Sequence, residues 1–166
     1  MKQKLFAILL LFQAAFILLV PLQHHLIGDY GKTIQLLGNL SPYYYYDETR
    51  NILYFEYEIN TIPEEKWEVS RELDFQEKLY VIVKPDENGI YEVVRATDKK
   101  PDIGAEETIL LAKYSYYHEV GKEYQVEYGI EELKWEEEIE EGKRLLIHVN
   151  IAPWGQKVVR EIAPVD

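Results

Sequence analysis

A serine and a lysine are the side chains with which this 166-residue chain could perform nucleophilic catalysis. Ser41, activated by a distant lysine, would attack a carbonyl carbon while the amine accepts the hydroxyl proton. Such a site needs its serine in a defined, strained setting, whereas Ser41 precedes Pro42 and lacks the Ser-Met context of Ser-Lys peptidases. The chain has no cysteine, which excludes thiol catalysis and disulfides. We therefore predict a protein that is not an enzyme, with a membrane-anchored envelope hydrolase of the Ser-Lys peptidase class as the alternative.

Acidic and imidazole side chains could hold a metal ion, but their spacing does not favour one. Residues Glu131–Glu141 include seven glutamates, yet the sequence has no D-x-D-x-D-G loop of the kind that binds Ca²⁺. We interpret this run as the solvated face of a short helix that ends at Gly142. His118 and His148 lie on predicted strands, where we expect packed or exposed rings. The sequence thus predicts no metal and no other cofactor.

Four consecutive tyrosines, Tyr43, Tyr44, Tyr45 and Tyr46, are the most unusual feature of the sequence. In a strand, successive side chains point to opposite faces, so two of these rings would be buried and two exposed. The alternative is an aromatic platform for a sugar, a peptide or a partner protein. We name the four tyrosines as candidate partner-binding residues and expect them near the membrane-facing end of the domain.

The N-terminal segment Leu5–Leu22 contains eighteen residues without a charge. As a helix it would extend for about 27 Å, close to the hydrocarbon thickness of a bilayer. No small residue suited to signal-peptide cleavage follows it, so we predict an uncleaved membrane anchor, with a signal peptide as the alternative. Lys2 and Lys4 would hold the N-terminus in the cytoplasm. We expect a single-pass cell-membrane protein with an anchor (1–22), a connector (23–30) and an extracytoplasmic domain (31–166).

The exported part of the chain is strongly acidic. The formal net charge of the whole chain is −12, and Lys2 and Lys4 are the only charges before the anchor ends, so the exported part has a net charge of −14. This charge argues against nucleic acid and against an anionic membrane surface as partners of the domain, because both would repel it. A basic partner remains open.

Alternating apolar residues predict about eight short strands with little helix. The clearest pattern is Arg144–Ile151, in which Leu145, Ile147, Val149 and Ile151 share one face. The predicted strands are Gly31–Leu37, Ile52–Ile59, Leu79–Val83, Ile90–Ala96, Thr108–His118, Glu123–Tyr128, Arg144–Ile151 and Lys157–Ile162. Gly38 and Asn39 are expected to end the first strand, and Gly89 to close a hairpin. We predict a mainly β fold: a transmembrane helix followed by one antiparallel β-barrel or sandwich-like domain.

Several segments of the sequence resemble the GDYXXLXY family of membrane-anchored bacterial proteins. They are GKTIQL (Gly31–Leu36), YEI (Tyr57–Ile59), KLYVIVKPDENGIYEVVR (Lys78–Arg95), EYGIE (Glu127–Glu131) and the final hairpin around Gly155. The naming motif is degenerate, since Arg50, Asn51 and Ile52 stand where the family has Gly-Asp-Tyr. The resemblance implies an anchored β domain without an established activity. It also implies a multi-pass membrane protein as partner, because the family is often encoded beside one.

Overall fold

The computed structural model describes residues 8–15, 17, 19, 27, 30–41, 52–134, 139 and 142–165. Ten strands in these ranges form two antiparallel sheets of five strands each. A short 3-10 turn, Glu58–Asn60, connects the first sheet to the second along the chain, and another, Glu64–Lys66, follows within the second sheet. The predicted mainly β, antiparallel fold with little helix is therefore confirmed.

The first sheet is built around the strand that opens the domain. Its members are β1 (Lys32–Leu40), β2 (Ile52–Tyr57), β8 (Glu132–Lys134), β9 (Leu145–Ile151) and β10 (Lys157–Pro164). Their order across the sheet is β10-β9-β1-β2-β8. The predicted hairpin of β9 and β10 is confirmed, with a register shift between Val159 and Glu161.

The second sheet curls towards a closed barrel. Its members are β3 (Thr61–Pro63), β4 (Lys78–Pro85), β5 (Tyr91–Thr97), β6 (Thr108–His118) and β7 (Glu123–Glu127). β3 and β5 lie at its two edges, in the order β3-β7-β6-β4-β5. Trp67, which follows β3 closely, forms a bridge with Ala96 of β5. One short segment therefore contacts both edges of the sheet.

The core lies between the inner faces of the two sheets. Ile34 and Leu36 of β1 are buried there. The predicted inner face of β9 is confirmed, since its four alternating apolar residues are all buried. The predicted hairpin around Gly89 is confirmed as well: β4 pairs with β5, and Gly89 has a φ of +83°. Period-two patterning thus identified the faces that the fold buries.

The end of β1 differs from the prediction. Gly38 does not break the strand, because it pairs with Tyr57 of β2 on one side and Leu145 of β9 on the other. A Cβ atom at Gly38 would lie 2.6 Å from the carbonyl oxygen of Glu56. This glycine therefore allows close approach of two strands rather than a turn.

The predicted helix over Glu131–Glu141 is wrong where the structure describes it. Residues Glu132–Lys134 form β8, which pairs with Ile52–Tyr54 of β2. The backbone of this segment pairs with the open edge of β2, and the hydrogen bonds of this pairing outweigh the helical propensity of a glutamate-rich segment. Of residues 135–141, only Ile139 is described.

The N-terminal residues that the structure describes are helical over 8–15. Five consecutive apolar side chains in this helix, from Ile8 to Phe12, are between 50% and 73% exposed. Within the described residues, the structure has no helix that combines the length and the apolar character needed to cross a membrane.

Candidate functional site

Two segments of the family resemblance meet in a buried polar junction, which we define as Tyr57, Asn60, Tyr128 and Glu131. Asn60, in the 3-10 turn after β2, accepts a hydrogen bond from the backbone N–H of Tyr57 at 2.7 Å. Its amide donates to the carbonyl oxygen of Val126 at 2.7 Å and to Oε1 of Glu131 at 3.0 Å. One buried side chain therefore links the end of β2 to β7 and to the turn that follows it.

The two tyrosines of the junction point across it in opposite directions. The Tyr57 hydroxyl donates to the carbonyl oxygen of Ile130 at 2.8 Å. The Tyr128 hydroxyl donates to the carbonyl oxygen of Ile59 at 2.7 Å. Burial raises the pKa of both phenols well above the usual value, and the charge of Glu131 adds to this shift. Both hydroxyls therefore stay neutral and hold backbone carbonyls in place.

Glu131 closes the junction from the other side. Its Oε1 accepts hydrogen bonds from the backbone N–H of Tyr128 and from Asn60, and its Oε2 accepts from Gly129 at 2.7 Å and Ile130 at 2.9 Å. Successive backbone N–H groups around one anion form a concave, nest-like site. Here the anion is the chain's own carboxylate, so the arrangement fixes the turn after β7.

The raised pKa values predict a loss of stability at alkaline pH. The folded state keeps both phenols protonated, whereas the unfolded state ionises them near the ordinary value of 10.0. A raised folded pKa means that stability is fully present below pH 10 and falls as the pH rises further. We expect the Tyr57→Phe/Tyr128→Phe variant to lose stability at neutral pH but to show a shallower decline above pH 10.

This prediction is checked by unfolding in urea at a series of pH values. The same double substitution at two half-exposed tyrosines, Tyr54 and Tyr80, serves as the control. Equal alkaline slopes in the wild type and the Tyr57/Tyr128 variant would contradict the proposed environment of these phenols.

A second group of side chains forms an aromatic cluster, defined as Trp67, Tyr114, Tyr117 and Tyr124. The rings of Trp67 and Tyr124 stack with centroids 3.9 Å apart and an interplanar angle of 6°. Tyr117 contacts Tyr124 at 4.7 Å, and Tyr114 lies 6.0 Å from Trp67. All four residues are half-buried, so one side of the cluster packs on the domain while part of each residue reaches solvent. Rigid, partly exposed aromatic rings are typical of protein interfaces.

Acidic residues border this aromatic cluster. Burial raises the pKa of Tyr117, and the negative charges of Glu64 and Glu119 raise it further. The ring therefore lies beside carboxylates in a domain whose net charge is already negative. Such a surface is suited to an aromatic or basic partner segment rather than to an acidic one.

The sequence model of a family described as GDYXXLXY protein matches residues 13–162. The chain belongs to the GDYXXLXY family. The matched range includes both sheets up to β10, the polar junction and the aromatic cluster. No curated protein and no solved structure gives a significant match.

In this member of the GDYXXLXY family, the structure describes some of the candidate residues from the sequence and not others. The tyrosines Tyr43–Tyr46 lie outside the described residues. Ser41 is buried directly after β1, and its Oγ donates to Oε1 of Glu56 at 2.8 Å. Its backbone N–H donates to the carbonyl oxygen of Tyr54 at 2.8 Å. The described contacts of Ser41 thus join β1 to β2.

The two candidate histidines each contact a nearby group of the β domain. Nδ1 of His118 accepts a hydrogen bond from the backbone N–H of Gly121 at 3.2 Å. Nδ1 of His148 lies 3.1 Å from Oε2 of Glu161 on the neighbouring strand. Across the described ranges, no group of three or more histidine, aspartate or glutamate side chains is placed to hold a metal ion.

Sequence reasoning missed both the polar junction and the aromatic cluster. Tyr57 and Tyr124 fall within the predicted strands Ile52–Ile59 and Glu123–Tyr128, and Trp67 lies outside every predicted strand. One signal was present, since Tyr124, Val126 and Tyr128 alternate and so must share the inner face. The side-chain bonds of Asn60 could not be inferred, because its partners lie 66 and 71 residues away in the sequence.

Proposed function

We propose that the chain is a membrane-anchored, extracytoplasmic binding domain without enzymatic activity, which associates with a multi-pass membrane protein. The proposed anchor is supported by the N-terminal helix, whose apolar residues from Ile8 to Phe12 are largely exposed. Exposed contiguous apolar surface of this kind needs to be covered, and a bilayer would cover it. The β domain buries a core of its own.

The aromatic cluster supports the binding role. Rigid aromatic rings beside carboxylates offer a large contact area at a small loss of side-chain entropy. Tyr114 and Tyr117 follow Thr108 along β6 by about 20–30 Å at the usual strand rise. Thr108 accepts a hydrogen bond from Lys32 at the start of β1, where the chain enters the domain. The cluster would therefore contact an exported part of the partner away from the point of entry.

The tyrosines Tyr43–Tyr46 form a second part of the proposed binding surface. They follow β1 and Ser41 along the chain. Their location near the membrane-facing end of the domain stays a prediction from the sequence. Replacing two accessible tyrosines of this group by serine should weaken the partner complex and leave the fold intact.

Ser41 supports the binding role over the hydrolase. Its hydroxyl donates to Glu56, whereas the serine of a Ser-Lys peptidase would donate to a neutral lysine amine that acts as its base. Ser41→Ala is therefore expected to retain the partner complex.

Site-specific cross-linking tests the binding proposal. A photoreactive phenylalanine analogue replaces Tyr117 in cells, with Tyr80 as the matched position because it is also a half-buried tyrosine of the second sheet. We expect an adduct with a membrane protein at Tyr117 and none at Tyr80. Tyr117→Ser should reduce co-purification of that protein about tenfold, as for an interface aromatic residue. Equal adducts at both positions, or none at Tyr117, would overturn this surface.

A further inference from the structure

The chain enters the β domain through a short, tightly packed junction. Ile27 and Tyr30 are helical, and the backbone N–H of Gly31 donates to the carbonyl oxygen of Ile27 at 3.0 Å. The side chain of Ile27 is 0% exposed. β1 begins at Lys32, so Gly31 alone separates the helical residue Tyr30 from the sheet.

Gly31 fits a site with no room for a side chain. A Cβ atom there would lie 3.2 Å from the carbonyl oxygen of Ile151 and would overlap the carbonyl oxygen of Ile27. Gly31 therefore packs closely against the end of β9. We call this part of the domain the Ile151 end and define it by Ile27, Gly31, Lys32, Ile151 and Trp154.

Two exposed aromatic side chains mark the Ile151 end. Trp154 is 52% exposed in the turn between β9 and β10, just beyond Ile151, and Ile151 pairs with Lys32. Tyr30 is 71% exposed, one residue before Gly31. Both therefore lie beyond the same end of the first sheet, next to the point where the chain arrives from its apolar N-terminal segment.

Two lysines form hydrogen bonds that connect the Ile151 end to the second sheet. Lys32 Nζ donates to Oγ1 of Thr108 at 2.6 Å. Lys157 Nζ donates to the carbonyl oxygen of Leu111 at 2.8 Å. The turn that carries Trp154 is closed by a backbone hydrogen bond from Ala152 to the carbonyl oxygen of Gln156 at 2.8 Å. Trp154 is thus presented by an ordered turn.

We propose that Trp154 and Tyr30 seat the Ile151 end in the lipid–water interface of the bilayer that holds the N-terminal segment. Tryptophan and tyrosine are enriched at this depth because an apolar ring carries a polar group that stays hydrated. Gly31 alone separates Tyr30 from β1, so both rings lie at the end of the domain where the chain enters it. The partner is the zwitterionic headgroup region, since the acidic domain is repelled by anionic lipid. This inference rests on the anchor in the proposed function.

The absence of cysteine from the chain allows a clean test with a single introduced thiol. The full-length chain carries an environment-sensitive fluorophore on Pro153→Cys, beside Trp154, and is reconstituted in phosphatidylcholine vesicles. The matched chain carries the fluorophore on Val120→Cys, which is exposed in the turn between β6 and β7. Nitroxide-labelled phosphatidylcholine is the quencher, and flotation with the vesicles reports the anchor separately.

We expect both chains to float and the emission at position 153 to fall about twofold, with little change at position 120. Adding Trp154→Ser and Tyr30→Ser should abolish most of this quenching while flotation persists. Floating chains with equal quenching at the two positions would overturn the inference and leave the anchor standing. Undiminished quenching in the serine variant would overturn the role of the two rings. Failure to float would overturn both the anchor and the inference.

Discussion

Asn60→Ala is expected to lower the free energy of unfolding by about 2–4 kcal/mol, because it removes three hydrogen bonds from a buried position. Asn60 is 9% exposed. Without its side chain, the N–H of Tyr57 and the carbonyl oxygen of Val126 lose their partner in a region with little access to water. A buried polar group that loses its partner costs more than the bond itself contributed.

The matched control for this substitution is Asn39→Ala. Asn39 is half-buried in β1, and its amide donates to the carbonyl oxygen of the adjacent Leu40 at 3.2 Å. We expect this change to cost below about 1 kcal/mol, since one local bond is removed. Urea unfolding of both variants measures the difference. Equal midpoints would mean that the Asn60 contacts do not stabilise the fold.

Glu131→Gln should destabilise the domain by about 2–3 kcal/mol, although the two side chains have the same shape. The carboxylate accepts four hydrogen bonds, three of them from successive backbone N–H groups of residues 128–130. Glutamine offers one carbonyl oxygen, and its NH₂ group would face N–H donors. Hydrogen bonds to a charged acceptor are also the stronger ones.

Glu132→Gln is the control for this second prediction, because Glu132 is the neighbouring residue and its side chain is exposed. We expect its melting temperature to stay close to that of the wild type. A double-mutant cycle with Asn60→Ala adds a further check. Asn60 bonds directly to Glu131, so the two changes should cost less together than the sum of their separate effects. Additive costs would show that the two residues act independently.

The parts of the fold that could be predicted depend on local information. The alternation along Arg144–Ile151 defines a buried face without reference to the rest of the chain, and β9 buries those residues. The turn around Gly89 needs a positive φ that glycine adopts readily, and the structure has it. Hairpins, in which the paired strands are neighbours in the sequence, were therefore the part of the fold that was easiest to predict.

The parts that could not be predicted depend on distant partners. Glu131 begins a segment with strong helical propensity, yet the free edge of β2 draws the next residues into β8. The bridge between Trp67 and Ala96 brings an irregular segment to the edge of β5, and no spacing of residue types in the sequence predicts this contact. The candidate tyrosines Tyr43–Tyr46 were evident from composition alone, but their role depends on a partner that the sequence does not contain.

Protease accessibility in cells is the most direct test of the proposed anchored, extracytoplasmic arrangement. The full-length chain carries a tag at each end, and protease is added to intact cells from which the wall has been removed. We predict that the C-terminal tag is digested, while the N-terminal tag remains on a membrane-protected fragment that contains Leu5–Leu22. A protected C-terminal tag, or a mature chain that begins beyond about residue 20, would contradict the account.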